Sequence, residues 1–287
     1  GVPDIVPVYA PGDGIITSIS SSEHLSADPV FTDYTVTFSP CRDYKLYLGH
    51  IQQVLPAILA KTSGEAGCST YSTGGEDFKN CLYKTSIFIS AGSQVGSFGG
   101  TPGILALDFG AIDQNIENTF VNPQNISQDD LFHYACPIDA FAADMQTVLY
   151  AKIERTIAPR CGDYPQDLSG TAQGWWLKTG VSDLYPEDPH LALAHDHIDP
   201  TKASFSFGNS IPNLSGTHKF TPNNSGLINR DFSAITADGL IYCFPISTGI
   251  ALLNLPTATT LKIEFQNGGD CSALPFAFTA NASDFNR

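Results

Sequence analysis

The densest chemistry in the chain lies in Asp188-Pro-His-Leu-Ala-Leu-Ala-His-Asp-His-Ile-Asp199, where three histidines and three aspartates fall within twelve residues. If this segment is a strand, its side chains alternate between the two faces. Leu191, Leu193, His195 and His197 then share one face, and Ala192, Ala194 and Asp196 the other. Two imidazoles at i and i+2 can ligate one metal ion, with Asp199 from the following turn and His190 from the strand start as further ligands. Zinc suits such a set. The aspartate-rich turns at Asp129-Asp130 and Asp196–Asp199 carry the oxygen chemistry of calcium. The plainer reading uses the same residues. The leucine face is buried, His195 and His197 are satisfied histidines at the core edge, Asp196 faces solvent, and Asp199-Pro makes the turn. On that reading the protein holds no cofactor.

Trp175 and Trp176 are the only tryptophans. Neighbours on a strand point opposite ways, so at most one is exposed, where it would suit sugar stacking or a protein contact. Burial in the core is the alternative for either ring. No nucleophile signature is present. Gly208-Asn-Ser-Ile-Pro is not a Gly-x-Ser-x-Gly elbow. Gly96-Ser-Phe-Gly-Gly-Thr lacks the lysine of a phosphate loop. The seven cysteines contain no Cys-x-x-Cys pair. Proximity in sequence suggests Cys68–Cys81, Cys136–Cys161 and Cys243–Cys271, with Cys41 left over, and disulfides belong to oxidising compartments. Four Asn-x-Ser sequons, at Asn125, Asn213, Asn223 and Asn281, fit a secreted chain. So do a single methionine, Met145, and a start at Gly1 left by a removed signal peptide.

The elements that must position these residues are mostly strands. Val8–Tyr9, Gly14–Ile19, Tyr34–Phe38, Leu46–Leu48, Ser86–Ile89, Gln94–Phe98 and Ile104–Phe109 are short apolar or alternating runs, punctuated by Gly, Pro and Asp. Gln53–Ala60 reads as a short helix interrupted by Pro56, and Gly64–Cys81 as a disulfide-closed hairpin or loop. Ser127-Gln-Asp-Asp is a helix start, and Ile138–Ile157 has helical apolar spacing ending before Pro159. Beyond residue 162 the pattern is β again, through Ser204–Phe207, Gly239–Phe244, Ile250–Leu255 and Thr260–Phe265. The expected organisation is a β domain over residues 1–120, a helical connector over 121–160 and a C-terminal β-sandwich or barrel over 161–287.

Pro7-Val-Tyr-Ala-Pro-Gly-Asp-Gly14, Leu46-Tyr-Leu-Gly-His50-Ile51, Ala91-Gly-Ser-Gln-Val-Gly-Ser-Phe-Gly-Gly100 and Leu105-Ala-Leu-Asp-Phe-Gly110 stand in one order. Together, over about residues 6–112, they resemble the lysostaphin-type zinc endopeptidases that cleave peptidoglycan cross-links. The resemblance implies an all-β barrel-sandwich hybrid. It does not carry the chemistry across. The family's zinc-binding His and Asp precede its Pro-Val segment, where only six residues stand here, none of them His. Its His-x-His positions are Ala106 and Asp108. Of the key groups His50 remains, with Asp108 as a carboxylate substitute, a relic cleft or a simple hydrogen-bonded pair. Family domains without ligands often act as partner-binding modules.

Charge narrows the partners. Lys+Arg is 14 and Asp+Glu is 29, so 14 − 29 gives −15. A chain this acidic with no basic run repels nucleic acid. The runs Ile104–Leu107 and Ile250–Leu253 are too short to span a membrane. The expectation is a secreted or extracellular protein, at the cell surface or in a periplasm, serving binding or structural assembly rather than catalysis. Its partner is then a protein, a cell-wall glycan or further copies of itself. The alternatives are a metal-dependent hydrolase centred on His190–Asp199 and a carbohydrate-binding module using Trp175 or Trp176.

Overall fold

The computed structural model describes residues 4–62, 67–73, 75–101, 103–104, 106–184, 187–246 and 248–287. Part of the expected Gly64–Cys81 excursion (residues 64–66 and 74), and Leu105 of the Leu105–Gly110 motif, lie outside them. The chain is mainly β, with 46% of residues in strands against 10% in helices. It divides into two compact units: residues 1–117 with 130–146, and residues 118–129 with 147–287.

The first unit contains β1 (Val6–Tyr9), β2 (Gly14–His24), β3 (Phe31–Cys41), β4 (Tyr44–Ile51), β5 (Gln53–Val54), β6 (Gly67–Thr73), β7 (Glu76–Ile89), β8 (Gln94–Phe98), β9 (Asp108–Asp113) and β10 (Tyr134–Ala135). Seven strands, in the order β10-β9-β4-β3-β2-β7-β6, form a half-barrel sheet, and β1-β8-β5 form a second, three-stranded sheet. Strand alternation sorts the large sheet into two faces. Ile16, Ile19, Val36, Phe38, Leu46, Leu48, Ile87 and Ile89 form the buried face, with Val8, Val54 and Val95 of the small sheet in the same core. Ile58 joins them from α1 (Pro56–Leu59), a single turn that Pro56 begins. Gly96 lets β8 lie against β5, since a Cβ there would strike the Gln53 carbonyl. The Cys68–Cys81 disulfide ties directly opposed residues of the β6–β7 hairpin.

The expected helix over Ile138–Ile157 is a correction. A 3-10 turn at Pro137–Ala140 ends in extended backbone at Phe141, and only α2 (Ala143–Tyr150) is α-helical. No residue of α2 is buried, and an amphipathic stripe with nothing to pack against does not sustain a long helix. Arginine side chains satisfy carbonyls of the segment that follows. Arg160 donates to the carbonyls of Tyr150 and Arg155, at 2.5 and 2.7 Å, and Arg155 to those of Ile157 and Pro159. The expected helix start at Ser127 is a 3-10 turn, Asp129–His133. The strand expected over Ile104–Phe109 begins only at Asp108.

The second unit is one eight-stranded antiparallel sheet of β11 (Gly174–Lys178), β12 (Leu191–His195), β13 (Ala203–Ile211), β14 (Leu214–Phe220), β15 (Tyr242–Ile246), β16 (Gly249–Thr257), β17 (Thr260–Asn267) and β18 (Ser283–Asn286). Its order is β14-β13-β12-β11-β18-β17-β16-β15, and it curls into a nearly closed barrel. Phenylalanines link the two edge strands. Phe220 of β14 and Phe244 of β15 have ring centroids 5.1 Å apart, and Phe232 packs against both at 5.3 and 5.6 Å. Alternate residues of every strand fill the interior, among them Trp176, Leu191, Leu193, Phe205, Leu253, Ile263 and Phe285. Arg287 closes one end of this core. Its guanidinium lies 4.3 Å from the Trp176 ring, pairs with Asp167 at 2.9 Å and donates to the carbonyls of Leu168, Thr171 and Gln173. Outside the barrel, the Cys243–Cys271 disulfide sits with Ile250 and Leu252 in a small satellite cluster.

Cys136 and Cys161 are disulfide-bonded as well, and Cys41 is the free, exposed cysteine among the described residues. No helix among those residues is long and apolar enough to cross a membrane.

Candidate binding sites

The His190–Asp199 segment starts as the sequence suggests and then departs from it. β12 places Leu191 and Leu193 in the barrel and Ala192 and Ala194 outside. The strand ends at His195. Asp196 is buried and His197 exposed, the reverse of the expected phasing. The cause is local. The Asp196 carboxylate accepts from the backbone N–H groups of Ile198 and Asp199, at 3.0 and 2.8 Å, which turns the chain. Lys219 then pairs with it at 2.5 Å. Burial pushes the Asp196 carboxyl up, but the two amides and Lys219 outweigh burial and hold it below the usual carboxylate range.

Three of the four expected metal ligands have partners of their own, and the fourth, His197, is exposed. His190 is buried, accepts from the Lys178 amide at Nδ1 (3.2 Å) and meets the Asp183 carbonyl at Nε2 (3.0 Å). That assigns the proton to Nε2. His195 Nε2 pairs with Asp231 at 3.0 Å. Asp199 accepts from the amide and hydroxyl of Thr201. Among the described residues no group of three His, Cys, Asp or Glu side chains is placed to hold a metal ion.

The two tryptophans separate as strand geometry requires. Trp176 is fully buried, and its indole N–H donates to the Ala172 carbonyl at 2.8 Å. Trp175 is half-buried on the outer face, with the His190 ring 5.5 Å away edge-on. Register gives Trp175 its neighbours. It stands opposite Ala192, which stands opposite Ser206, which stands opposite Thr217. In the adjoining row Ala194, Ser204 and Lys219 are opposed in turn. These small side chains floor a concavity of about 420 Å³ that His195, Asp196, His197 and Lys219 complete. The concavity is a shallow floor of methyl and hydroxyl groups beside an ion pair, and Trp175 stands next to it in register, opposite Ala192.

No protein-family model matches this chain, nor does any curated protein or solved structure. The sites therefore stand on their own geometry.

The second site lies in the first unit, on the sheet face opposite its core. Leu46 and Leu48 point inward, and so does Ile51, which breaks the alternation of β4. Val36 pairs with Leu48 and Tyr34 with Ile51, so Gly49 and His50 together oppose Thr35. This is a β-bulge, and His50 occupies it with φ of 59°. A left-handed histidine is uncommon, and bulges re-aim side chains. Here the imidazole turns onto the outer face, where His50 Nδ1 meets Asp33 Oδ2 at 2.6 Å and Nε2 faces Asp108 Oδ2 at 3.5 Å. The expected His50–Asp108 pair is therefore the looser half of a three-residue cluster.

Asp33 was not legible as its closest member. Phe31, Asp33, Thr35 and Thr37 alternate with buried Val36 and Phe38, so the pattern assigns Asp33 to the outer face, but only the bulge brings His50 to it. Burial pushes the Asp33 carboxyl above its usual range, against the opposing pull of His50 and His24. Along the same face, Phe31, His24, Phe78 and Tyr71 form a ring ladder across four strands, with centroids 4.1, 4.8 and 5.3 Å apart.

Proposed function

We propose that this is an extracellular binding protein that engages a cell-wall-type glycan on the outer face of β11–β14, and that its lysostaphin-like unit works as a scaffold rather than a peptidase. The observation that carries the reading is the register of Trp175 against Ala192, Ser206 and Thr217. A sugar ring presents apolar C–H faces and polar edges. A partly open indole stacks on the former, and hydroxyls and a charge pair beside it serve the latter. Small floor residues leave room for a ring to lie flat. Disulfides support an oxidising, extracellular-type compartment. Ala106 and Asp108, at the positions where the resembled family keeps its His-x-His, favour binding over turnover.

The test is co-sedimentation with insoluble peptidoglycan and with chitin. Wild type should pellet saturably with at least one of them, and Trp175→Ala should weaken binding about tenfold or more, the loss of one stacking contact with its buried area. Equal binding by Trp175→Ala, at unchanged thermal stability, would sink this reading.

A further inference from the structure

We propose that Asp33, His50 and Asp108 form a second, independent site that binds a primary ammonium group, carried by a lysine side chain or a peptide terminus. The cluster is rich in acceptors and short of donors. His50 Nδ1 lies 2.6 Å from Asp33 Oδ2. In the tautomer whose Nδ1 donates to that carboxylate, Nε2 presents a lone pair toward Asp108 Oδ2, 3.5 Å away. Two acceptors facing each other need a donor between them. The second observation is Asp33 Oδ1, which is buried and accepts no hydrogen bond among the described residues, in a side chain 10% exposed. Unpartnered buried oxygens are uncommon and ask for an explanation.

An ammonium group answers the first deficit, at Nε2 and Asp108; Asp33 Oδ1 is buried out of its reach and adds negative charge behind the imidazole. The ammonium brings three N–H donors and a positive charge to a cluster of two carboxylates and one imidazole. The side chain of Asp108 is 60% exposed and that of His50 39%, so the entrance is open on their side. The backbone supports a preset site. Gly49 packs against Asp108, where a Cβ would lie 3.1 Å from the Asp108 Cβ. The left-handed His50 holds the ring outward. Asp33 is here a positioning residue that fixes the His50 tautomer, while Nε2 and Asp108 receive the ligand.

The experiment is an NMR titration of isotope-labelled full chain, read at the His50 ring. The probes are Nα-acetyl-lysine amide, its Nε-acetylated counterpart and triglycine amide. A saturable shift with either amine, absent with the Nε-acetylated probe, is the expected result, and the two amines tell a side chain from a chain terminus. Asp108→Asn, at an exposed position, should weaken amine binding about tenfold or more, as loss of a charge-assisted hydrogen bond does. Asp33→Asn should also alter the His50 tautomer signature, and Asp108→Asn keeps the test open if Asp33→Asn fails to fold. No saturable shift, equal binding of the acetylated probe, or wild-type affinity in Asp108→Asn would overturn the proposal.

Discussion

Among the described residues each unit holds one close histidine–aspartate pair, and the two carboxyls are tuned in opposite directions. His50 meets Asp33 at 2.6 Å in the first unit, and His195 meets Asp231 at 3.0 Å in the second. Both carboxyls are largely buried, so burial pushes both upward. The Asp231 carboxyl nevertheless ends below its usual range, and that of Asp33 above it. The other oxygen accounts for the difference. Asp231 Oδ1 accepts the backbone N–H and the hydroxyl of Ser233, at 2.9 and 2.6 Å, as the cap of a 3-10 turn. Asp33 Oδ1 has no such pair of donors, and the Tyr34 amide, the smallest of the pulls on this carboxyl, does not offset burial. The histidine partner alone does not decide the charge state of a buried carboxylate; its remaining hydrogen bonds do. One pair is therefore a finished structural joint, and the other is left open on a face where a ligand can complete it.

The largest expected effect breaks the finished joint. Asp231→Ala removes the partner of His195 and the cap of the Phe232–Ala234 turn, whose Phe232 helps close the barrel seam. It should destabilise the second unit by about 2–3 kcal/mol in urea unfolding. Asp33→Ala should cost the first unit about 1 kcal/mol or less, because half-exposed His50 can turn to water. Similar losses at both positions would end the contrast.

Acidity should separate the pairs next. An ordinary carboxyl titrates near pH ~3.9 in the unfolded chain. A lowered folded value, as at Asp231 and Asp196, gives stability that is present above that pH and lost as pH falls through the folded value. A raised folded value, as at Asp33, gives the opposite. Its contribution is full below that pH and is lost as pH rises through the folded value. Asp231→Asn should accordingly flatten the acid limb of the stability profile, whereas Asp33→Asn should flatten the decline on the other side. The same slope change in both variants would refute the assignment. The smallest effect sharpens the cause. Ser233→Ala should move the Asp231 carboxyl upward in a carbon-detected NMR titration while costing only about 1 kcal/mol. An unmoved Asp231 would mean that Ser233 is not what holds it down.

Much of the β architecture was legible because strand alternation and turn residues are local signals. β8 matches the run Gln94–Phe98 residue for residue, and Thr260–Phe265 falls within β17. The Cys68–Cys81 and Cys243–Cys271 pairs follow from spacing and formed as expected. The long helix was misjudged because its periodicity describes a stripe without saying whether anything covers it. The facing of Asp196 and His197 was misjudged because a strand was extended past His195, where one aspartate side chain, Asp196, captures two backbone amides and ends the alternation.

What the sequence determined by itself is the class of fold, the oxidised cysteines and the separation of Trp176 from Trp175, since each depends on neighbours along the chain or on the two-residue period of a strand. What only the tertiary structure decided is which side chains meet. Trp175 finds its small-residue floor through the register of four strands, and His50 finds Asp33 through a single extra residue in β4. Both depend on contacts between residues distant in sequence, and a one-residue shift in pairing sends a side chain to the opposite face.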